Sequence, residues 1–332
     1  MNQRWFAFSR FVLGLIAIAA AHFLAGGFGS QDMFLLRGDV VYRPMLLLFL
    51  LAGFSIVVSG FDGVRGNPLA AIGLAMRRPW LRDLWVGGLL GAGMVTVAVA
   101  LIAVMGNLAI TVSVSRVAIA RAVLALFILV CAAVAEEVSF RGYPLQRLVQ
   151  AIGPAPAVLV LSLLFGAVHL RNPHAAAWGY TNTVLIGVLL SVACLRTQSL
   201  WMPIAIHFWW NTTLGLIFGL PVSGLREFSV ITRSHTGGPL WLTGGSYGLE
   251  ASALGAMVIV TGIAGLAVFL PARAPGFALS APGAPGPPAI PGGFAGDGRG
   301  LPEPALGPAA TEASLPKLDA EAQPDGKSFS GP

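Results

Sequence analysis

The sequence predicts an all-α protein, a polytopic bundle of about eight transmembrane helices followed by a disordered C-terminal tail. Three observations carry this. Hydrophobic residues make up 56% of the 332 and charged residues only 10%, against about 25% charged in an ordinary soluble domain. Apolar runs approaching the roughly 20 residues that cross a hydrocarbon core recur along the chain. From about residue 272 the composition turns to Pro, Gly and Ala, as in APGAPGPPAIPGG, which has no means of burying a core.

The runs lie near residues 11–27, 44–60, 84–106, 122–135, 154–170, 181–195, 200–220 and 251–270. The fourth is short only because charges interrupt its far end. Together they divide the chain into N-terminal helices and an interfacial loop (1–114), four closely spaced helices (115–220), a Gly-rich loop with the last helix (221–271), and the tail (272–332). The tail is expected to be dispensable for insertion and thermal stability. The segment after Arg141, with Gly142 and Pro144, is expected to leave its helix and lie at the membrane interface.

The net charge of +6 does not point to nucleic acid, because the basic residues are scattered between apolar runs. They read as topology signals. Arg4 and Arg10 precede the first run and Arg65, Arg77, Arg78 and Arg82 follow the second, which places the N-terminus in the cytoplasm. Eight spans return the C-terminus there, in an integral protein of the plasma or inner membrane. Cys131 and Cys194 sit inside apolar helices as small hydrophobes and provide no disulfide framework.

Chemistry is sought among the charges that a membrane disfavours. Of the fourteen acidic residues, only Glu136 and Glu137 interrupt an apolar helix, in LVCAAVAEEVSFRGY, while Glu250 merely opens the last run. A carboxylate near the bilayer centre costs about 2.5–3.5 kcal/mol on insertion scales and so calls for partners or a wet cavity. Glu137 and Arg141, four apart, face one another on successive turns. Glu136 lies about 100° around the helix and projects elsewhere. Taken alone, these three also read as a capping network where the helix leaves the membrane.

Two further insertions shift the balance. His169 ends LVLSLLFGAVHL with Phe165 one turn earlier on the same face, and His207 and Asn211 form a same-face pair in PIAIHFWWN. Three helices each bringing a proton-handling or hydrogen-bonding group make coincidence a poor explanation. Glu136 and His169 reach similar heights around a turn near Gly153. His207 lies only about 12 Å beyond its own turn where about 24 Å is needed at helical rise.

At these residues the sequence resembles the CPBP family of membrane proteins, which includes the type II CAAX prenyl endopeptidases and bacteriocin-processing or immunity-associated proteins. EEVSFRG is similar to its glutamate-glutamate-x-x-x-arginine motif, FGAVH to its phenylalanine-x-x-x-histidine motif, and HFWWN to its histidine-x-x-x-asparagine motif. The resemblance implies an intramembrane endopeptidase acting on a membrane-associated or lipidated protein or peptide. Glu136 and His169 would activate a water, His207 and Asn211 would stabilise the oxyanion or position that water, and Glu137, Arg141 and Phe165 would support the site. No cofactor is expected. The alternative is zinc on Glu136, His169 and His207, although no H-E-x-x-H helix occurs. A non-enzymatic scaffold or immunity protein and a proton-coupled transporter are the competing functions, the latter disfavoured because neither motif is repeated elsewhere in the chain.

The remaining candidates take plainer readings. His22 is a tolerated polar residue in the first run, and His174 and His235 fall in loops. Trp80, Trp85, Trp201, Trp209, Trp210 and Trp241 read as interfacial anchors. Ser139 lacks a G-x-S-x-G context and Ser162 has no nearby base in sequence, so serine chemistry is not expected.

Overall fold

All eight apolar runs are helical in the computed structural model, which describes residues 3–25, 39–61, 68–76, 79–273 and 331. The helices are α1 (Gln3–Leu24), α2 (Asp39–Phe61), α3 (Pro68–Ala71), α4 (Trp80–Val104), α5 (Arg116–Phe140), α6 (Tyr143–Ile152), α7 (Pro154–His169), α8 (Ala177–Thr197), α9 (Trp201–Thr212), α10 (Leu240–Thr243) and α11 (Ala253–Phe269). A π-helical turn, Thr213–Ile217, extends α9, and a 3₁₀ turn, Leu249–Ala251, precedes α11. Residues 274–330 and 332 of the tail, and Arg65, Arg77 and Arg78, lie outside the described residues.

Apolar side chains cover the outside of the bundle as well as its core. Leu81, Trp85, Leu89 and Val97 of α4 are more than half exposed while Val95, Ala98 and Val99 of the same helix are buried. Such an inside and outside fit lipid rather than water, and the chain is an integral membrane protein. Among the described residues, four helical stretches are long and apolar enough to cross a membrane: α1, α4, α5 continued through α6, and α8. Helix α7, α11 and the part Arg43–Val58 of α2 are apolar but shorter. The seventh run is the clearest departure from an equal-span picture. Helix α9 has 12 residues with Met202–His207 all buried, so its hydrophobicity serves packing against protein.

Local chemistry sets the breaks. Ser115 caps α5 by accepting the Ala118 amide at 3.1 Å. At its other end the Arg141 and Gly142 amides both turn back to Glu137 O, at 2.8 and 3.0 Å. Gly142 is required there because a Cβ would stand 2.5 Å from Val138 O. Pro144 then opens α6. The chain does leave the helix after Arg141, as the sequence suggests, and α6 packs into the bundle. Tyr143–Leu148 are buried, with α1 on one side and α7 on the other.

Small residues bring the motif helices together. A Cβ on Gly87 of α4 would lie 2.6 Å from Met202 O, and one on Gly91 would collide with Ile206 O, so α4 and α9 pack backbone to backbone. Between α7 and α8, Gly187 lies against the Ser162 backbone and Gly166 makes room for the Val184 and Tyr180 side chains. One small sheet interrupts the all-helical pattern. Strands β1 (Leu108–Val112) and β2 (Thr232–Thr236) pair antiparallel with Leu108 opposite Thr236, which puts His235 on a strand opposite Ala109 rather than in a loop.

The tail drawn from about residue 272 begins with a residue that the fold holds in place. Arg273 grips the buried carboxylate of Asp83 with two guanidinium nitrogens, at 2.5 and 2.6 Å, and also reaches Thr197 O at 3.1 Å. Hydrogen bonding to Asp83 pushes the Arg273 guanidinium further up. Arg273→Ala should lower the thermal midpoint of the detergent-solubilised chain, the stability lost being less than the roughly 3–5 kcal/mol of a fully buried pair because Arg273 is part-exposed. Ending the chain after Arg273 should leave the midpoint within error of the full-length protein.

Candidate active site

Three of the motif side chains meet on one oxygen. Glu136 Oε2 lies 3.8 Å from His169 Nε2 and 3.9 Å from His207 Nε2. Glu136 sits one turn before the end of α5 and His169 is the last residue of α7. The height mismatch that the spacing suggests does not keep them apart, and because the helix breaks at Gly142 Glu136 lies four residues from the end of α5. The carboxylate is 30% exposed, His169 17% and His207 9%, so the cluster is sheltered yet open to a cavity. Among the described residues, Glu136 Oε2 has no direct hydrogen-bond partner.

The far nitrogen of each ring fixes its chemistry. His169 Nδ1 is 2.7 Å from Phe165 O. A carbonyl can only accept, so Nδ1 carries the hydrogen and Nε2 is the atom that exchanges protons. His207 Nδ1 is 2.9 Å from Glu137 Oε1, which also accepts from Arg141 Nη1 at 3.0 Å. The same tautomer follows, and the imidazole gains a carboxylate that can support a positive ring.

Glu137 and Arg141 are the supports that their spacing suggests. Glu137 is fully buried and Arg141 nearly so. Arg141 spreads its fork from Glu137 to Gly187 O, 3.2 Å away, and its guanidinium lies 4.2 Å over the Phe165 ring. Phe165 in turn stacks on His169 at 4.6 Å and meets His207 edge-on at 6.3 Å. One aromatic side chain thus holds both imidazoles and the arginine.

Asn211, one turn beyond His207, lines the same cavity of about 250 Å³ as Glu136, His169 and His207. The cavity continues between α5, α8 and α9 as an apolar chamber walled by Leu129, Ile186, Leu190 and Phe228 among others.

Three residues do more than their sequence context suggests. His22 is no bystander: its Nε2 lies 3.0 Å from Ser139 Oγ, one turn past Glu136, and it lines the cavity within electrostatic reach of Glu136. The rule that singles out His169, a titratable group inside an apolar helix, applied equally to it. Trp210 is buried, not an interfacial anchor, and donates to Glu250 Oε1 at 3.1 Å. Glu250 does more than open the last helix. It is buried in the turn before α11, accepts two hydrogen bonds from Ser223 besides that from Trp210, and faces the same cavity. Burial pushes its carboxyl above the ordinary range, opposed by the Ser223 amide and hydroxyl. No local pattern announces this, because its partners lie 27 and 40 residues away.

A zinc ion held tetrahedrally by one carboxylate oxygen and two imidazoles would bring those atoms to roughly 3.3–3.5 Å from one another. The edges from Glu136 Oε2 are wider, and no group of three His, Cys, Asp or Glu among the described residues has a metal-holding arrangement.

Residues 118–213 match the family described as type II CAAX prenyl endopeptidase Rce1-like. The matched segment runs from the first turn of α5 to the end of α9 and contains all the motif residues above. No curated protein and no solved structure matches the chain significantly.

Proposed function

We propose that the chain is an intramembrane endopeptidase that hydrolyses a peptide bond of a membrane-associated or lipidated substrate with water activated by Glu136 and His169. The observation that carries this reading is the convergence of Glu136 Oε2 with the Nε2 atoms of both motif histidines, on three different helices. The match of residues 118–213 to a peptidase family supports it.

In this reading Glu136 accepts a proton from the water while the water oxygen attacks the carbonyl carbon. His207 and Asn211 stabilise the oxygen that becomes negative, and the proton on Glu136 passes to the departing amine nitrogen as the C–N bond breaks. Atoms and charge balance within the site. Glu136 Oε2 and both Nε2 atoms converge where the water would stand, and a proton on one of them would turn an acceptor into a donor. His207 is suited to it, since Glu137 stands behind its ring and a protonated Nε2 can donate to the oxyanion. A peptide substrate would reach the site through the cavity, its apolar part lying in the chamber between α5, α8 and α9.

The test is direct. Purified chain in detergent should cleave an internally quenched farnesylated peptide ending in a CAAX tetrapeptide, with one new amine and one new carboxylate per turnover. It should do so after exhaustive dialysis against a chelator, with well under one zinc per chain by elemental analysis. Stoichiometric zinc whose removal and return switch activity off and on would overturn the metal-free mechanism. No cleavage of this peptide or of its unlipidated counterpart would overturn the peptidase reading. Arg4 and Arg10 before α1 and Arg82 at the start of α4 support a cytoplasmic N-terminus.

A further inference from the structure

Glu250 is a buried carboxylate that the mechanism above does not use. It is 4% exposed, and helix α11 does not need it as a cap, because Ser252 Oγ already accepts the Gly255 amide at 2.9 Å. Its two oxygens are divided between different parts of the fold. Oε1 accepts from Trp210 Nε1 at 3.1 Å; Oε2 accepts from the Ser223 amide and, at 2.9 Å, from the Ser223 hydroxyl.

Both partners lead to the site. Trp210 adjoins Asn211 on α9 and lies one turn past His207, immediately before the π-helical turn at Thr213–Ile217. Ser223 belongs to the stretch whose Val222, Leu225 and Phe228 wall the cavity. That stretch is held in an unusual backbone shape. Ser223 has φ +47°, costly for a residue with a side chain, and Gly224 follows at φ +87° with its amide on Tyr247 O at 3.0 Å. A non-glycine residue keeps such a conformation only where its surroundings enforce it. The two hydrogen bonds to Glu250 add here to the reciprocal backbone bonds between Val222 and Leu225, both 2.8 Å.

We propose that Glu250 is a positioning residue for proteolysis, one oxygen setting α9 so that His207 and Asn211 face the cavity, the other holding the Ser223 stretch as the substrate-side wall. The proposal rests on the peptidase reading of the site. It gives the two arms different kinetic signatures. Trp210→Phe keeps an aromatic body but removes the donor, and should lower kcat on the order of tenfold with KM little changed. Ser223→Ala loosens the wall and should raise KM by a similar factor with kcat little changed. Glu250→Ala should do both, and Glu250→Gln, which keeps one acceptor oxygen, should recover part of the loss.

The experiment measures kcat and KM for these four variants on the farnesylated peptide, together with hydrogen exchange of the full chain in detergent. Exchange across residues 221–226 should accelerate on the order of tenfold in Glu250→Ala and Ser223→Ala and stay at the wild-type rate in Trp210→Phe. If Glu250→Ala does not fold, Glu250→Gln carries the same readings at smaller amplitude. A folded Glu250 variant with wild-type exchange in that stretch, or arms that lower kcat and raise KM alike, would overturn the role given to Glu250. A wild-type chain that cleaves nothing sinks the peptidase reading instead, and the exchange data tell the two failures apart.

Discussion

Glu136→Gln is expected to reduce peptide cleavage by at least about a thousandfold while leaving the protein folded. The substitution is nearly isosteric, and Oε2 has no hydrogen-bond partner to lose among the described residues. The change therefore falls on chemistry. General-base catalysis typically contributes about 10²- to 10⁴-fold, and a group that works as one unit with its neighbours loses most of the unit's contribution when removed. His169→Ala should approach the same loss, since Nε2 of His169 faces the same oxygen. His207→Ala should match it in rate but also cost stability, because His207 is a hydrogen-bond partner of buried Glu137. Cleavage by Glu136→Gln within about threefold of wild type, in protein with an unshifted thermal midpoint, would remove Glu136 from the mechanism.

The parts of this site that are legible in the sequence follow from one cost. A charge inside an apolar helix must be compensated, so Glu136, Glu137 and His169 stand out by position alone, and three-to-four-residue spacing pairs Glu137 with Arg141 and Phe165 with His169. What spacing leaves open is which elements from elsewhere in the chain supply the other partners. Glu137 was expected to be satisfied by Arg141, yet it also takes His207 from 70 residues away. Trp210 looked like an anchor because tryptophans near run ends usually are, and nothing in PIAIHFWWN reveals that Glu250 lies behind it. Asp83 and Arg273, 190 residues apart, look like ordinary loop charges until the fold joins them. The length of α9 was hidden for a different reason. A helix buried in protein and a helix facing lipid are equally apolar, so composition cannot separate 12 helical residues from a full span.

Arg141 offers the sharpest separation of architecture from chemistry. Its guanidinium and the Glu137 carboxylate are almost without exposure, and both hydrogen bonds to that carboxylate fall on Oε1, Oε2 having no hydrogen-bond partner among the described residues. Arg141→Ala leaves that charge with His207 alone and empties the space over Phe165, and should cost about the 3–5 kcal/mol typical of a broken buried pair. Arg141→Lys should recover little, because a point charge on a flexible stem cannot span Glu137 and Gly187 O at once. The double variant Glu137→Gln with Arg141→Met removes both charges and fills similar volume, which is often neutral for a buried pair. Its thermal midpoint should return toward wild type. Its activity should not, because His207 then lacks the carboxylate that supports a positive ring at the moment the oxyanion forms. Thermal unfolding and cleavage measured on the same three preparations decide it: recovery of both would make Glu137 and Arg141 packing alone, and recovery of neither would show that the pair is needed for the fold itself.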